Sequence, residues 1–317
     1  MTHVPQGIDL VACVRAATLA PSLHNSQPWR FRIRPDGVDV YADWRRRLEV
    51  IDPDGRQLLI SVGAAIFNLR LAIHQCGRTL TVRPRPADDE RGPIASLDLR
   101  GSAVADPTLD ELANAMPLRH TNRLPFLPDS VPAAFLDELA AAATAEGASL
   151  RAVPEPARAA VGRLVRAAEA KLRGAGVYRA ELAEWSHARA EHVVPLPTVG
   201  WHAAETLPLR DFGLTTPYRR APIGPEDSHL LILVLGTRGD ATDDRLRAGQ
   251  ALERVWLTAT ARRLAVAPMS QPLDVPELRR LMTDPGSGWP QVILLVGHAP
   301  PTAPTPRRDV SETLVDD

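Results

Sequence analysis

Two short stretches of this chain concentrate side chains from which a binding chemistry could be built. The first is Pro21-Ser22-Leu23-His24-Asn25-Ser26-Gln27-Pro28-Trp29. It packs a rigid turn, two hydroxyls, two amides, an imidazole and an indole into nine residues. A flat, polar heteroaromatic ligand needs neutral donors and acceptors along its edge and apolar contact on its faces. The same residue types also make ordinary surface turns. The second stretch is Arg119-His120-Thr121-Asn122-Arg123. Two guanidinium groups and a hydroxyl can converge on one phosphate where the backbone turns between them, and charge-assisted bonds are the strong ones. Taken alone, the segment reads better as a solvated basic turn.

Other chemistries lack their signatures. There is no G-x-G-x-x-G after a strand and no phosphate-cradling G-x-x-x-x-G-K; Gly286-Ser287-Gly288 lies in an unrelated loop. No H-E-x-x-H and no Cys/His spacing suits a metal, and no G-x-S-x-G elbow offers a nucleophile. Glu181, Glu184, His187, Glu191 and His192 fall at helical spacing, but Arg179 and Arg189 interleave with them. They read as a solvated or salt-bridged helix face, and no metal is expected. A net charge of -1, with both signs spread along the chain, argues against a nucleic-acid binder. Cys13 and Cys76 lie far apart in the sequence and read as reduced, buried thiols rather than a disulfide framework or a zinc site. No apolar run approaches the ~18 residues of a membrane span, and no secretory signal is visible, so a cytoplasmic protein without membrane contact is expected.

The elements that must position these stretches come in two unequal copies. Residues 59–76 form a helix candidate, apolar on most sides through Val62, Ala65, Ile66, Leu69 and Ile73 on one face and Ile60, Ala64, Phe67 and Leu71 on another. Such a helix is central and buried. Residues 246–264 are its counterpart, with Gly249, Ala251, Leu252, Val255, Leu257 and Ala259 aligned to Gly63, Ala65, Ile66, Leu69, Leu71 and Ile73. Strand candidates follow each, at Leu80-Thr81-Val82 and Leu264-Ala265-Val266. Upstream, Leu10 to Ile33 and Ala133 to Val153 both read as helix, loop, strand. The copies have lost complementary parts. The first keeps the Pro21–Trp29 loop, and the second opens on Arg119–Arg123.

The loop resembles the flavin-edge loop of the FMN-dependent nitroreductase superfamily, P-S-x-x-N-x-Q-P-W, with Pro21, Ser22, Asn25, Gln27, Pro28 and Trp29 at its fixed positions. Arg119 to Arg123 is similar to that superfamily's R-[RH]-[ST]-x-[RK] phosphate motif, and Pro290-Gln291 leading to Gly297 to its P-Q-x-x-x-x-x-G ending. The one-chain, two-copy arrangement resembles the Acg family of FMN-binding nitroreductase-like proteins over residues 10–315. The resemblance implies an α+β, three-layer α/β/α nitroreductase-like fold with a mostly antiparallel central sheet. The chain would be an intrachain pseudo-dimer of a first half, 1–110, and a second half, 111–317. One FMN per chain would sit at the seam. Pro21, Ser22, Leu23, His24 and Asn25 would close on the ring, and Arg119, His120, Thr121 and Arg123 would take the phosphate. Pro268, Met269, Ser270 and Gln271 would lie near N5, with Met269 as packing and His24 as a structural hydrogen-bonder. Arg307 and Arg308 are phosphate contacts or a solvated tail.

The Pro-rich residues 195–225 carry Trp201, Phe212 and Tyr218, too apolar for a free linker, and the resemblance makes them a lid over the flavin. The expected activity is NAD(P)H-dependent reduction of an electron-poor small molecule, a nitro compound or quinone, through flavin N5. No protein nucleophile is required. The alternative is an FMN-sequestering protein whose lid excludes donors and acceptors. A monomeric pseudo-dimer with a small-molecule substrate is expected, with further association left open.

Overall fold

Residues 8–85, 92–124, 126–185, 230–283 and 288–315 are described in this computed structural model. The expected lid residues Trp201, Phe212 and Tyr218 lie outside them, as do His187, Glu191 and His192.

The first half begins with α1 (Leu10–Ala17), whose N-terminus is capped by the Asp9 carboxylate accepting from the Ala12 N–H at 3.0 Å. Strands β1 (Trp29–Arg34) and β2 (Gly37–Ala42) form a hairpin. Helix α2 (Arg56–Gln75) follows, then β3 (Arg78–Pro84) and β4 (Ala95–Ser102). After α3 (Pro107–Ala115) the second half repeats the plan. It runs α4 (Ala133–Ala145), β5 (Ser149–Ala152), α5 (Glu155–Gly174), α6 (Gly176–Ala183) and β6 (Leu231–Thr237), then α7 (Thr242–Ala261), β7 (Ala265–Met269), α8 (Pro276–Leu281) and β8 (Trp289–Gly297).

The strands make two four-stranded antiparallel sheets, in the orders β1-β2-β4-β3 and β5-β6-β8-β7. In both, the strand order by position is first, second, fourth, third. In both, a 20-residue helix connects the second strand to the third. The class is therefore α+β, with the antiparallel strands divided between two sheets.

Those two helices, α2 and α7, make the most extensive helix contact among the described residues. They cross where both carry glycine. A Cβ on Gly63 would meet the Leu246 carbonyl oxygen at 2.2 Å, and one on Gly249 would meet the Ile60 carbonyl oxygen at 2.0 Å. The contact is reciprocal, since Ile60 and Leu246 each precede their own glycine by three positions. The cores are exchanged the same way: Ile60 of α2 packs in the core of the second sheet, and Leu246 of α7 in that of the first.

By length and hydropathy α2 could cross a membrane, although Asn68 and Arg70 interrupt its apolar run. Here 89% of its most apolar window is buried in protein, which accounts for its composition. Beyond β8 the chain returns to the first sheet, where the Val315 N–H donates to the Phe31 carbonyl at 2.8 Å.

Candidate functional site

A cleft opens beside the α2/α7 crossing, and both halves line it. From the first half come Pro21, Ser22, Leu23 and His24 of the loop, with Gln57, Ile60 and Ser61 of α2. From the second come Thr121, Asn122 and Arg123, Leu252 and Trp256 of α7, and Ala267, Pro268, Ser270, Gln271 and Val292. His24 and Thr121 thus share one cleft.

The loop is shaped by an unusual backbone. His24, Asn25 and Gln27 all have positive φ (50°, 57° and 49°), a region that costs side-chain-bearing residues strain unless the surroundings impose it. The imposition is visible. Ser22 Oγ accepts from the Gln27 N–H at 2.9 Å, and the Leu23 N–H reaches Ser61 Oγ at 3.4 Å. Asn25 Nδ2 donates to the Pro306 carbonyl at 2.9 Å, while Gln27 Oε1 accepts from the Arg308 N–H at 2.9 Å. Asn25 and Gln27 therefore fasten the loop to the C-terminal tail, and Asn25 does not line the cleft. Arg308 also stays with the tail: its side chain donates to the Gln27 carbonyl and to Glu312.

The segment from Arg119 to Arg123 is held on the edge of β7. Thr121 bridges Val266, and the Asn122 N–H donates to the Val266 carbonyl at 2.9 Å. This register brings Thr121 and Arg123 to the cleft beside Pro268 and Ser270. Arg119 turns the other way. Its Nη2 donates to the Leu19 carbonyl at 3.1 Å, its guanidinium stacks 4.7 Å from the centre of the Trp256 ring, and its Nε lies 3.4 Å from Glu253 Oε1. Arg307 caps the end of α1, donating to the carbonyls of Thr18, Leu19 and Ala20 at 2.9, 3.0 and 3.3 Å.

Arg119, Arg123, Arg307 and half-buried His120 nevertheless form one electrostatic cluster. Desolvation and then Arg119 lower the Arg123 guanidinium to about 10, and the same two causes lower Arg307 to about 9. Desolvation, Arg119 and Arg307 lower the His120 imidazole. Against these cations stands one fully buried carboxyl, Glu253, pushed up to about 7 by burial despite Arg119. The cleft is therefore cationic at the Thr121–Arg123 end.

Two uncharged side chains of the cleft are firmly oriented. Gln57 Nε2 donates to Asp274 Oδ1 at 3.1 Å and Ser270 Oγ to Asp274 Oδ2 at 2.9 Å, so one buried carboxylate orients two cleft side chains from different halves. Arg56, also buried, reaches the same carboxylate at 3.4 Å and the carbonyls of Gln291 and Leu273. Asp52 caps α2 by accepting from the Gln57 and Leu58 N–H groups at 2.9 and 2.8 Å, and burial raises its carboxyl to about 6. Met269 is 1% exposed and packs in a core rather than on the cleft.

Of the residues singled out from sequence, Pro21, Ser22, Leu23, His24, Thr121, Arg123, Pro268, Ser270 and Gln271 meet in the cleft. Asn25, Arg119, His120, Met269, Arg307 and Arg308 are not among its lining residues. Sequence reasoning missed Gln57, Ile60, Ser61, Leu252 and Trp256. The available signal was their place one or two turns from the paired glycines of two helices apolar on most sides. Glu181, read as part of a solvated face, instead accepts from the Val50 and Ile51 N–H groups at 2.8 and 3.2 Å.

The arrangement suits a flat ligand with one anionic end: neutral hydrogen-bonding groups and apolar walls along most of its length, an indole, and a guanidinium at the Thr121 end.

Comparison with known proteins converges with this geometry. Residues 118–298 match the model of the Nitroreductase family. Over 326 residues the chain is 33% identical to "Putative NAD(P)H nitroreductase Rv3131" of Mycobacterium tuberculosis H37Rv, covering 99% of this chain and 93% of that one. It is 28% identical to "Putative NAD(P)H nitroreductase acg" of the same organism, over 96% of this chain and 94% of that one. The solved structure of B. megaterium NfrA2 aligns at a TM-score of 0.32 and 17% identity, over 62% of this chain and 70% of that one, too distant to carry an argument. The family model begins at residue 118, so the Pro21–Trp29 loop lies outside it, whereas the mycobacterial relatives span both halves.

Proposed function

The chain belongs to the nitroreductase family and is of the Acg type, and on that premise we propose that its cleft binds one FMN and that it is an NAD(P)H-dependent oxidoreductase. Its substrate class would be electron-poor small molecules such as nitro compounds or quinones. The observation that carries the reading is the convergence of the two sequence motifs, one from each half, on a single cleft with one cationic end. We take the two halves as a pseudo-dimer that retains one of two ancestral sites.

The residues present fit the cofactor. Thr121 and Arg123 would hold the phosphate, with Arg119 and Arg307 adding positive potential from behind. Arg presents paired donors to phosphate oxygens, and a desolvated surround strengthens each bond. The ring would lie among Trp256, Ile60 and Leu252, within reach of Ser22, His24, Gln57, Ser270 and Gln271. Bound flavin supplies the hydride and electron transfer; the protein supplies position and field. Asp274 keeps Gln57 and Ser270 in one orientation, which limits reorganisation when charge develops nearby.

An absorbance spectrum with and without NADPH under anaerobic conditions tests the reading. The expected result is a yellow protein whose flavin band bleaches on adding NADPH. Protein that takes up no FMN on reconstitution would overturn the cofactor assignment. Bound flavin that stays oxidised would favour the sequestering alternative.

A further inference from the structure

The chain has two cysteines, Cys13 and Cys76, and folding brings them together. Cys13 lies in α1 and is 2% exposed, but Cys76, expected to be buried, is exposed because it caps the C-terminus of α2. Their sulfurs are 3.8 Å apart, in contact, though 63 positions separate them in the chain. Nothing in the cleft chemistry uses them.

We propose that Cys13 and Cys76 are a redox-active pair that closes to an intrachain disulfide when a hydroperoxide reaches Cys76. Exposure decides the order of events. The oxidant meets Cys76 from solvent, whereas Cys13 is shielded, and burial pushes its thiol up to about 12. In the first step the Cys76 sulfur attacks the peroxide: the O–O bond breaks, Cys76 becomes a sulfenic acid, and ROOH leaves as ROH. In the second step the Cys13 sulfur attacks the sulfenic sulfur, the S–O bond breaks, the S–S bond forms, and water departs with the thiol proton. Two thiols are oxidised by two electrons, and the peroxide accepts them. A dithiol reductant reverses the change by exchange at the exposed sulfur.

The position gives the bridge a consequence. Helix α1 leads directly into Thr18, Leu19 and Ala20, whose carbonyls Arg307 and Arg119 hold, and then into the cleft loop Pro21–His24. Helix α2 supplies Gln57, Ile60 and Ser61 to the same cleft. A Cys13–Cys76 bridge therefore fastens the stalk of the loop to the helix it closes against. The inference does not depend on which ligand the cleft takes.

The test is intact-mass spectrometry of the full chain after stoichiometric hydrogen peroxide, unfolded without reductant. The expected result is a loss of about 2 Da, no titratable thiol, a monomer on a non-reducing gel, and full reversal by dithiothreitol. Cys13→Ser should stop at a Cys76 sulfenic acid that dimedone traps. Cys76→Ser, at an exposed position, should leave Cys13 reduced, its oxidation slowed on the order of tenfold or more. Over-oxidation of Cys76 with Cys13 still a thiol, or intermolecular dimers through Cys76, would overturn the proposal. So would oxidation of Cys13 at the parent rate in Cys76→Ser.

Discussion

Gly63→Ala places a methyl group where the two central helices touch backbone to backbone. The new Cβ would lie 2.2 Å from the Leu246 carbonyl oxygen and 3.0 Å from the Gly249 Cα. A comfortable carbon–oxygen contact is longer by roughly 1 Å, and neither obstructing atom belongs to a side chain that could swing aside. Helices α2 and α7 must therefore separate or bend across their shared contact. Overpacking of a close-packed interior costs about 1–3 kcal/mol, and a gap of about 1 Å opened along neighbouring contacts forfeits a quarter to a half of their dispersion energy. Replacing glycine in a helix interior returns about 1 kcal/mol of propensity. The net expectation is destabilisation by about 1–2 kcal/mol, read from urea denaturation. Ile60 and Ser61 lie within one turn of Gly63, and Leu252 within one turn of Gly249, so ligand affinity of the cleft should fall with it. Gly101→Ala is the control: no heavy atom lies within 4 Å of its Cβ position, and its stability should stay within about 0.5 kcal/mol of the parent. A Gly63→Ala protein as stable as Gly101→Ala would refute the crossing as drawn.

Two further predictions separate the roles of the charged groups. Arg123→Ala should weaken FMN binding by about 1.5–3 kcal/mol, roughly 10- to 150-fold, with stability little changed, because Arg123 lines the cleft. Arg119→Ala should instead cost about 3 kcal/mol of stability, since it removes the partner of buried Glu253 and the cation stacked on Trp256; flavin titration and urea denaturation giving the reverse split would contradict the assignment. Glu253 predicts a pH dependence. Its folded carboxyl is raised from 4.5 to about 7, so the folded state holds the proton more tightly than the unfolded chain. Stability from this group is complete below pH 4.5 and is lost as pH rises through about 7, by about 3 kcal/mol. Glu253→Gln should abolish most of that decline between pH 5 and 8, leaving the smaller same-sign contribution of Asp52. Parallel pH–stability curves for parent and variant would show that Glu253 does not titrate in this range.

What the chain declares by itself is local. Helical periodicity marked α2 and α7, because an apolar surface on most sides is written in consecutive residues. The alignment of Gly63 with Gly249 was legible for the same reason, and so was the chemistry of the Pro21–Trp29 and Arg119–Arg123 stretches. Side-chain direction was not legible. Asn25 and Arg119 belong to their motifs, yet one holds the tail and the other pairs with Glu253, because the strained loop and the β7 register decide which way each points. The cleft contribution of Gln57 and Trp256, and the contact of Cys13 with Cys76, exist only after the helices pack. Propensity and pattern act over a few residues, whereas lateral proximity is set by which surfaces bury each other. That is a property of the assembled chain.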